Sequence, residues 1–344
     1  MYDIPMESSQ ESAQVRHSVS VVVPVYLGSK TLGTLLEEIR PLINPTLSPS
    51  GIEFQVKEVV LVNDCGPDGS EHTIRELALQ NDWVKPVWLS KNYGQHAATL
   101  AGMAATTSEW IITIDEDGQQ NPTDFGNFLD TAVANDASLV YGKPTNRPPH
   151  GILRNTLSWI VKHTLFRLLT DGAHNNFNSF RLVSGAIGRT LAAYVGDGVY
   201  LDVGLTWMVQ NVAQCPVQLR QETRSTSGYN YRRLSSHFWR LVLSAGTRPL
   251  RLAALMGVTA FITGIFAAAT IVIGKVNYGY AVSGWASLFA ALMLIGGLIL
   301  LVLGVLAEYL GMIVRASIGK PLYVAIGDPD LTALRRSRNS IQIK

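Results

Sequence analysis

The stretch that decides the fold is "ITIDEDGQQNP", which runs from Ile112 to Pro122. It opens on an apolar, β-branched run, continues through three acids at consecutive positions, and closes on a proline of the kind that begins helices. An apolar run that ends in Asp-x-Asp is typical of a strand that carries two carboxylates, Asp115 and Asp117, at its carboxyl end. Two interpretations stay open from these residues alone: a solvated acidic turn, or a site that holds a divalent cation.

Similar strand-then-helix units precede and include this stretch. The predicted strands are Ser18 to Tyr26, Val56 to Asp64, residues 84–90 and residues 109–115. Each is followed by a segment with helical character, and alternation of this kind over about 100 residues predicts an α/β fold with a mostly parallel, doubly wound sheet. The expected class is therefore a Rossmann-like sheet with helices on both faces.

Polar side chains gather at the carboxyl ends of these strands. They are Asp64, Lys91, Asp115 and Asp117. Because ligands of such sheets bind at the carboxyl ends of the strands, we expect these side chains to share a pocket. Gln119 would add a neutral oxygen to a bound cation. Glu116 alternates away from its two neighbours, and we expect it to tolerate replacement.

Composition excludes several classes of protein. The 28 Lys and Arg residues nearly balance the 26 Asp and Glu residues, which argues against a nucleic-acid partner. The two cysteines, Cys65 and Cys215, supply neither a zinc cluster nor a disulfide framework, and they favour a reducing compartment. Residues 1–17 are polar and lack the apolar core of a signal peptide, so we expect a disordered lead.

Two long uncharged runs follow the α/β region. They are Leu252 to Ile273, with 22 residues, and Trp285 to Ala307, with 23 residues. At about 1.5 Å per residue each spans about 30 Å, the thickness of the hydrocarbon layer. Buried core helices are the alternative, but runs that are apolar on every face favour two membrane spans. Basic residues flank the pair on both sides, which predicts an inner-membrane protein with both termini and the large domain in the cytoplasm.

The predicted organisation has five parts. They are a lead at 1–17, an α/β domain at 18–230, an amphipathic interfacial segment at 231–251, a two-helix transmembrane hairpin at 252–314 and a cytoplasmic tail at 315–344.

Several motifs in order resemble the inverting glycosyltransferases of family 2, which have the GT-A fold. They are "VSVVVPVY", "VLVNDCGPDGS", "LSKNYGQHAATLAGM" and "IDEDGQQNP". "VYGKPTNR", "FNSFRLVS", "SGYNYRRL" and "RPLRLAALMG" are similar to its polyprenyl-phosphate hexose synthase branch, which includes the dolichyl-phosphate mannose synthases and the bacterial undecaprenyl-phosphate glycosyltransferases. The resemblance extends from Ser18 to Gly327.

The resemblance implies transfer of a sugar from a UDP-, GDP- or dTDP-linked donor to an undecaprenyl- or decaprenyl-type phosphate at the cytoplasmic membrane face. The product would be a polyprenyl-phosphate sugar for cell-envelope glycosylation. The implied donor contacts are Pro24, Tyr26, Asp64, Lys91 and Asp115. Mg²⁺ or Mn²⁺ on Asp115, Asp117 and Gln119 would neutralise the leaving diphosphate, with Asp117 as the catalytic ligand. The resemblance is compatible with a homo-oligomer.

An acceptor that is already a phosphate anion needs cations to hold its oxygens rather than a strong base. The candidates are Lys143, Arg147, Arg181 and Arg224. Arg181 in "FRL" is the principal one, and we also expect it to be catalytic.

The chain departs from the family pattern in ways that leave alternatives open. "PVYLGS" lacks a usual acidic nucleotide contact around Gly28, and Ser179 replaces a frequent acid, which argues against a catalytic carboxylate at that position. Asp202 in "YLDVGL" is a possible base, or a residue that supports the site without touching the substrate. A family 2 synthase that extends a polysaccharide, and a non-catalytic two-span scaffold, are the competing interpretations. A missing Gln-x-x-Arg-Trp motif counts against the first, and the intact Asp-x-Asp-x-Gln motif counts against the second.

Overall fold

The computed structural model describes residues 16–146, 177–196 and 199–220, parts of 255–283, and residues 284–319 and 321–331. The strands are β1 (His17–Val25), β2 (Thr46–Leu47), β3 (Glu53–Asn63), β4 (Val84–Leu89), β5 (Trp110–Thr113), β6 (Leu139–Pro144), β7 (Arg181–Ser184), β8 (Val212–Val217) and β9 (Ala325–Ile326). The helices are α1 (Leu32–Ile39), α2 (Ser70–Gln80), α3 (Gln95–Ala104), α4 (Phe125–Ala134), α5 (Gly185–Tyr194), α6 (Leu201–Met208) and α7 (Trp285–Ile318), with 3-10 turns at Arg40–Ile43, Pro122–Asp124 and Pro329–Leu331.

All of these strands belong to one nine-stranded sheet. Its order is β8-β6-β7-β5-β1-β3-β4-β9, and β2 pairs with β3 off this path. The central strands β5, β1, β3 and β4 are parallel, as are β6 and β8, whereas β7 runs antiparallel to both of its neighbours. The prediction of a mostly parallel α/β sheet is therefore confirmed.

The sheet is covered on both faces because its central strands alternate between two cores. Val21 and Val23 of β1 belong to a cluster that includes residues of α1, α2 and α4. Val22 belongs to the opposite cluster, with residues of α3, α5 and α6. Gly102 allows α3 to lie close to the sheet, since a Cβ there would be 2.3 Å from a methyl of Val22. The small-residue helix therefore forms one wall beside the central strands.

One edge strand of the sheet lies outside the predicted 18–230 domain. Strand β9 pairs with β4 through Ile326 opposite Trp88 and Ala325 opposite Leu89. The segment predicted as a separate cytoplasmic tail thus contributes an edge strand. Two residues are too few to produce a periodic pattern, which is why the sequence did not indicate this strand.

Within the part of the chain that the structure describes, no helix has the length and apolar character needed to cross a membrane. The hairpin at 252–314 therefore stays a prediction. The interfacial segment at 231–251 and residues 1–15 of the lead lie outside the described residues.

Candidate active site

The acidic stretch lies at the carboxyl edge of the parallel strands. Thr113, the last residue of β5, is in register with Val22 of β1, and Val25 is in register with Asn63 of β3. The loops that follow β1, β3 and β5 therefore leave the sheet at the same edge. The loop after β5 turns at Gly118, whose φ of 76° is a conformation that favours glycine.

Asp115 is the centre of a hydrogen-bond network that joins three segments. Gln95, at the start of α3, donates its amide to one carboxylate oxygen at 2.6 Å. Gln120 donates to the other oxygen at 3.1 Å, and the Ser179 hydroxyl donates to that same oxygen. The backbone N–H of Asp115 donates to the Gln120 side chain at 2.9 Å. The carboxylate is thus held in one orientation by donors that are far apart in sequence.

The pKa of Asp115 is raised to about 6. Burial is the main cause, and the nearby negative charge of Asp117 adds to it, whereas the Ser179 hydrogen bond and the positive charge of Arg181 oppose it. A cation bound beside Asp115 would favour its charged form. With a pKa of about 6 the carboxyl titrates just below neutrality, and a bound cation would keep it ionised at pH 7.

Asp117 lies on a loop that is tied back to the body of the domain. One of its oxygens accepts the backbone N–H of Gln119 at 3.0 Å. The Gln119 carbonyl in turn accepts the N–H of Arg220 at 2.8 Å, and the Arg220 guanidinium pairs with Glu38 of α1 at 2.8 Å. These contacts position the second acid of Asp-x-Asp next to the first.

The ligand set around these two acids fits a cation whose other ligands come from a bound substrate and water. No group of three or more His, Cys, Asp and Glu side chains able to hold a metal occurs among the described residues. Mg²⁺ is commonly held by one or two carboxylates together with substrate phosphates and water. Asp115 and Asp117 are the carboxylates available for that arrangement.

Glu116 has a structural role, which argues against the expectation that it tolerates replacement. Its two oxygens accept the backbone N–H groups of Tyr26 and Leu27, each at 2.9 Å. Gly28 packs on the same carboxylate, since a Cβ there would lie 2.8 Å from a Glu116 oxygen. Alternation along the chain indicated correctly that Glu116 faces away from its neighbours, but it could not indicate that the β1–α1 loop lies on that side.

Asp64 supports the loop after β4. Its carboxylate is 3% exposed and accepts the N–H groups of Tyr93 at 2.7 Å and Gly94 at 2.9 Å. Burial raises the pKa of Asp64, and the two hydrogen bonds oppose that rise. Its side chain orients the loop that leads to α3, and its predicted contact with a nucleotide stays a prediction.

The other predicted donor contacts lie at the same edge. Lys91 is exposed, with its Nζ 5.2 Å from the centre of the Tyr93 ring. Pro24 and Tyr26 are half-buried at the end of β1. Gly66 packs against the Tyr26 carbonyl so closely that a Cβ would be 1.4 Å from its oxygen. The β1 and β3 loops are therefore in direct contact beside the acidic loop.

A cavity of about 190 Å³ adjoins Asp115. It is lined by Gln95, His96, Phe177, Asn178, Ser179, Arg181, Tyr200 and Asp202. The centres of the His96 and Tyr200 rings are 4.2 Å apart, and the centres of the Phe177 and Tyr200 rings are 6.3 Å apart. Gln95 and Ser179 line the cavity and also bind Asp115, so the cavity and the acidic loop form one site.

The sequence reasoning missed Gln95, His96 and Tyr200 as site residues. Gln95 and His96 begin α3, whereas Tyr200 directly precedes α6, and a single polar or aromatic residue has no periodic signal. The position of Gln95 directly after Gly94, at the start of a helix that follows a strand, is the one feature that could have indicated it.

Arg181 forms the buried side of this cavity. It is 3% exposed, its guanidinium pairs with Asp202, and its Nε donates to Thr113 at 3.1 Å. Tyr141 donates its hydroxyl to the same Asp202 oxygen at 2.8 Å. Burial raises the pKa of Asp202, while the charge of Arg181 opposes the rise. Arg181 thus adjoins the site, but with its charge already matched by a carboxylate.

Of the remaining predicted phosphate ligands, the structure describes only Lys143. Lys143 is exposed near the end of β6 and does not line the cavity. Arg147 and Arg224 lie outside the described residues.

Comparison with known proteins gives matches over most of the chain. The profile described as "Glycosyl transferase family 2" matches residues 20–190. The bactoprenol glucosyl transferase of Shigella phage SfX is 26% identical over 312 residues, which cover 89% of this chain and 98% of that protein.

Two solved structures are also similar. Residues 1–349 of S. aureus TarS in complex with UDP-GlcNAc match with a TM-score of 0.44 and 15% identity, over 66% of this chain and 66% of that one, just under two thirds of its length. Glucosyl-3-phosphoglycerate synthase from Mycobacterium tuberculosis, in complex with Mn²⁺, UDP-glucose and phosphoglyceric acid, matches with a TM-score of 0.45 and 17% identity, over 67% of this chain and 79% of that one.

Proposed function

Because the chain belongs to glycosyl transferase family 2, and is therefore a glycosyltransferase, we propose that it transfers one sugar, with inversion, from a nucleotide sugar to a polyprenyl phosphate. One observation carries the proposal: Gln95 and Ser179 line a cavity of the size of a monosaccharide, and both also donate hydrogen bonds to Asp115. The cavity of about 190 Å³ is smaller than the sites that take drug-sized ligands, which supports occupation by a single sugar unit.

On the donor side, the chain's own residues bind and orient the nucleotide diphosphate. Asp115, Asp117 and Gln119 would hold Mg²⁺ or Mn²⁺, and that ion would neutralise the charge of the leaving diphosphate. Lys91, exposed at the same edge, would add a positive charge for the phosphates. Gln95 and Gln120 keep the Asp115 carboxylate in place through direct hydrogen bonds.

On the acceptor side, the electrostatics of the cavity favour an acceptor that needs no deprotonation. Asp202 is the acid that lines the described cavity, and it is already engaged by Arg181 and Tyr141. The charge of Arg181 stabilises the ionised form of Asp202 and so opposes proton uptake, whereas a phosphate oxygen attacks without losing a proton. This supports a phosphate acceptor over a sugar hydroxyl, and Arg147, Arg181, Arg224 and Lys143 remain the proposed cations for it.

A lipid acceptor sets the reaction at a membrane surface. The uncharged runs at 252–273 and 285–307 support two spans, and Leu288, Leu292, Leu300 and Leu310 expose large apolar side chains along α7. Contiguous exposed apolar surface is typical of contact with a partner or a membrane. The relative named as a bactoprenol glucosyl transferase supports a polyprenyl acceptor. We propose an inner-membrane protein with the catalytic domain and both termini in the cytoplasm.

The test is transfer of labelled sugar into lipid by the full chain in detergent or membranes, with Mn²⁺, undecaprenyl phosphate and a panel of UDP-, GDP- and dTDP-sugars. We expect one donor to yield organic-extractable label. Asp117→Asn should lower the rate at least about 100-fold, because it removes charge stabilisation of the leaving group. Asp82→Asn, at an exposed acid outside the site, is the matched control and should keep the wild-type rate.

Two outcomes would overturn the proposal. A wild-type rate of transfer by Asp117→Asn would contradict the assignment of Asp117 as a cation ligand. Label that accumulates in a growing polysaccharide instead of a lipid monosaccharide would favour a polysaccharide-extending synthase.

A further inference from the structure

Residues 321–331, here termed the strap, bind along the edge of the sheet next to the donor side of the site. Within the strap, β9 pairs antiparallel with Trp88 and Leu89 at the end of β4. The pairing continues past the strand, because the N–H of Ser90 donates to the Val324 carbonyl at 3.0 Å. The strap thus covers the carboxyl end of β4 and the first residue of the loop to α3.

Arg75 of α2 clamps the strap. Its Nε and Nη2 donate to the Asp328 carboxylate at 2.8 to 3.0 Å, and its Nη1 pairs with Asp330. The guanidinium also lies 4.9 Å from the centre of the Trp88 ring. The Arg75 and Asp328 side chains are only 17% and 19% exposed. Forked pairs of this kind, sheltered from water and stacked on an aromatic ring, hold one geometry better than an exposed ion pair.

The loop that starts at Ser90 leads directly to the site. Its Tyr93 and Gly94 N–H groups are held by Asp64, and its tyrosine hydroxyl lies 2.9 Å from the Ser90 hydroxyl. The next residue, Gln95, donates to Asp115. A displacement of the strap would therefore reach the acidic loop through covalent neighbours and direct hydrogen bonds.

At its other end the strap continues from α7. Helix α7 ends at Ile318, three residues before the strap begins. Leu322 and Tyr323 pack against the core cluster that contains Leu89 and the buried face of α3. The strap therefore links α7 to the two elements that carry the donor-side loop.

We propose that Arg75 is a positioning residue for donor binding: by clamping the strap onto β4, it holds the loop at 90–94 and, through it, Gln95 and Asp115. The inference rests on the proposed function for the identity of the donor, but the link between the strap and the loop stands on these contacts alone. Arg75 does not line the cavity, so its effect must pass through the strap or through Trp88 of β4, and a variant that breaks the clamp from the strap side separates these two routes.

The test compares Arg75→Ala with wild type in the full chain. Amide exchange is followed at residues 88–95, and steady-state kinetics are measured with the nucleotide sugar that the transfer assay identifies as the donor. Loss of the clamp should speed exchange of these amides about tenfold, because the strap's edge pairing opens more often. Donor KM should rise about tenfold while kcat changes less than about twofold, because binding rather than the chemical step is weakened. Arg75→Lys, which keeps the charge but not the fork, should give an intermediate KM.

Arg40→Ala is the matched control. Arg40 also pairs with an acid, Glu37, and lies 5.8 Å from a tryptophan ring, that of Trp83, but it has no contact with the strap. It should leave exchange at 88–95 and donor KM at wild-type values. The double variant Asp328→Ala and Asp330→Ala breaks the clamp from the strap side, so it tests the proposal even where Arg75→Ala fails to fold.

Unchanged exchange at 88–95 in both clamp variants would overturn the proposal, as would a loss of kcat with no change in donor KM. Exchange needs no substrate. A wild-type chain that transfers no sugar would therefore refute the proposed function, while the exchange data would still decide for or against the strap.

Discussion

At the residue scale, the three consecutive acids of the opening stretch have three different surroundings. Asp115 accepts hydrogen bonds from three side chains, and Asp117 accepts one from its own loop. Glu116 accepts two backbone N–H groups from the β1–α1 loop. One short motif thus holds the proposed cation ligands and also secures the neighbouring loop on which Tyr26 lies.

Glu116→Ala should destabilise the domain. It leaves the N–H groups of Tyr26 and Leu27 without their acceptor, which costs about 1–3 kcal/mol. For a domain of this size the melting temperature should fall by about 2–4 °C per kcal/mol. Glu116→Gln keeps one acceptor oxygen. Its melting temperature, measured by thermal unfolding of the full chain, should lie between those of wild type and Glu116→Ala. An unchanged melting temperature for Glu116→Ala would show that the loop does not depend on this carboxylate.

At the element scale, a second buried acid joins the central strands. Glu58 of β3 is 1% exposed and accepts hydrogen bonds from Ser20 of β1 at 2.7 Å and from the Thr107 N–H at 2.6 Å. Its other oxygen pairs with Lys85 of β4. Burial alone would raise the pKa of Glu58, but the hydrogen bonds from Lys85, Ser20 and Thr107 outweigh it and lower the pKa. The ionised side chain therefore stabilises the packing of three strands.

The stability of the domain should depend on the ionisation of Glu58. Because its pKa is lower in the folded state than in the unfolded state, its contribution is present above the unfolded pKa and is lost as pH falls through the folded pKa. Glu58→Gln should lose about 1–3 kcal/mol at pH 7 and lose less than wild type on further acidification. Thermal unfolding from pH 7 to pH 3 measures both effects. Glu76→Gln, at an exposed acid of α2, should follow wild type, and parallel curves for Glu58→Gln and wild type would contradict the assignment.

At the scale of the whole molecule, the proposed membrane hairpin predicts which side of the membrane each part faces. The connector between the two uncharged runs should lie outside the cell, and the exposed Cys65 of the α/β domain should lie inside. A Ser283→Cys variant in a Cys65→Ser chain should react with a membrane-impermeant maleimide in intact cells. Wild-type Cys65 should react only after lysis. Labelling of Cys65 in intact cells, with the Ser283→Cys site protected, would reverse the orientation, and protection of both sites until lysis would contradict membrane insertion.

The sequence by itself determined the class of the fold and the edge at which the site lies. Apolar runs and helical segments alternate along residues 18–134, and parallel strands joined by helices must present their carboxyl ends at one edge. This is why Asp64, Lys91, Asp115 and Asp117 could be assigned to one edge before their surroundings were known. These are local patterns, and each is readable within a dozen residues.

Only the tertiary structure decided what each of these side chains contacts. Asp115 accepts hydrogen bonds from Gln95 and Ser179, which are 20 and 64 positions away in the sequence. Arg75 clamps the strap through Asp328, which is 253 positions away. No periodic pattern connects residues so far apart, and a two-residue strand such as β9 has no pattern of its own. Glu116 demonstrates the same limit, because alternation predicts that a side chain turns away from its neighbours but not which loop it meets there.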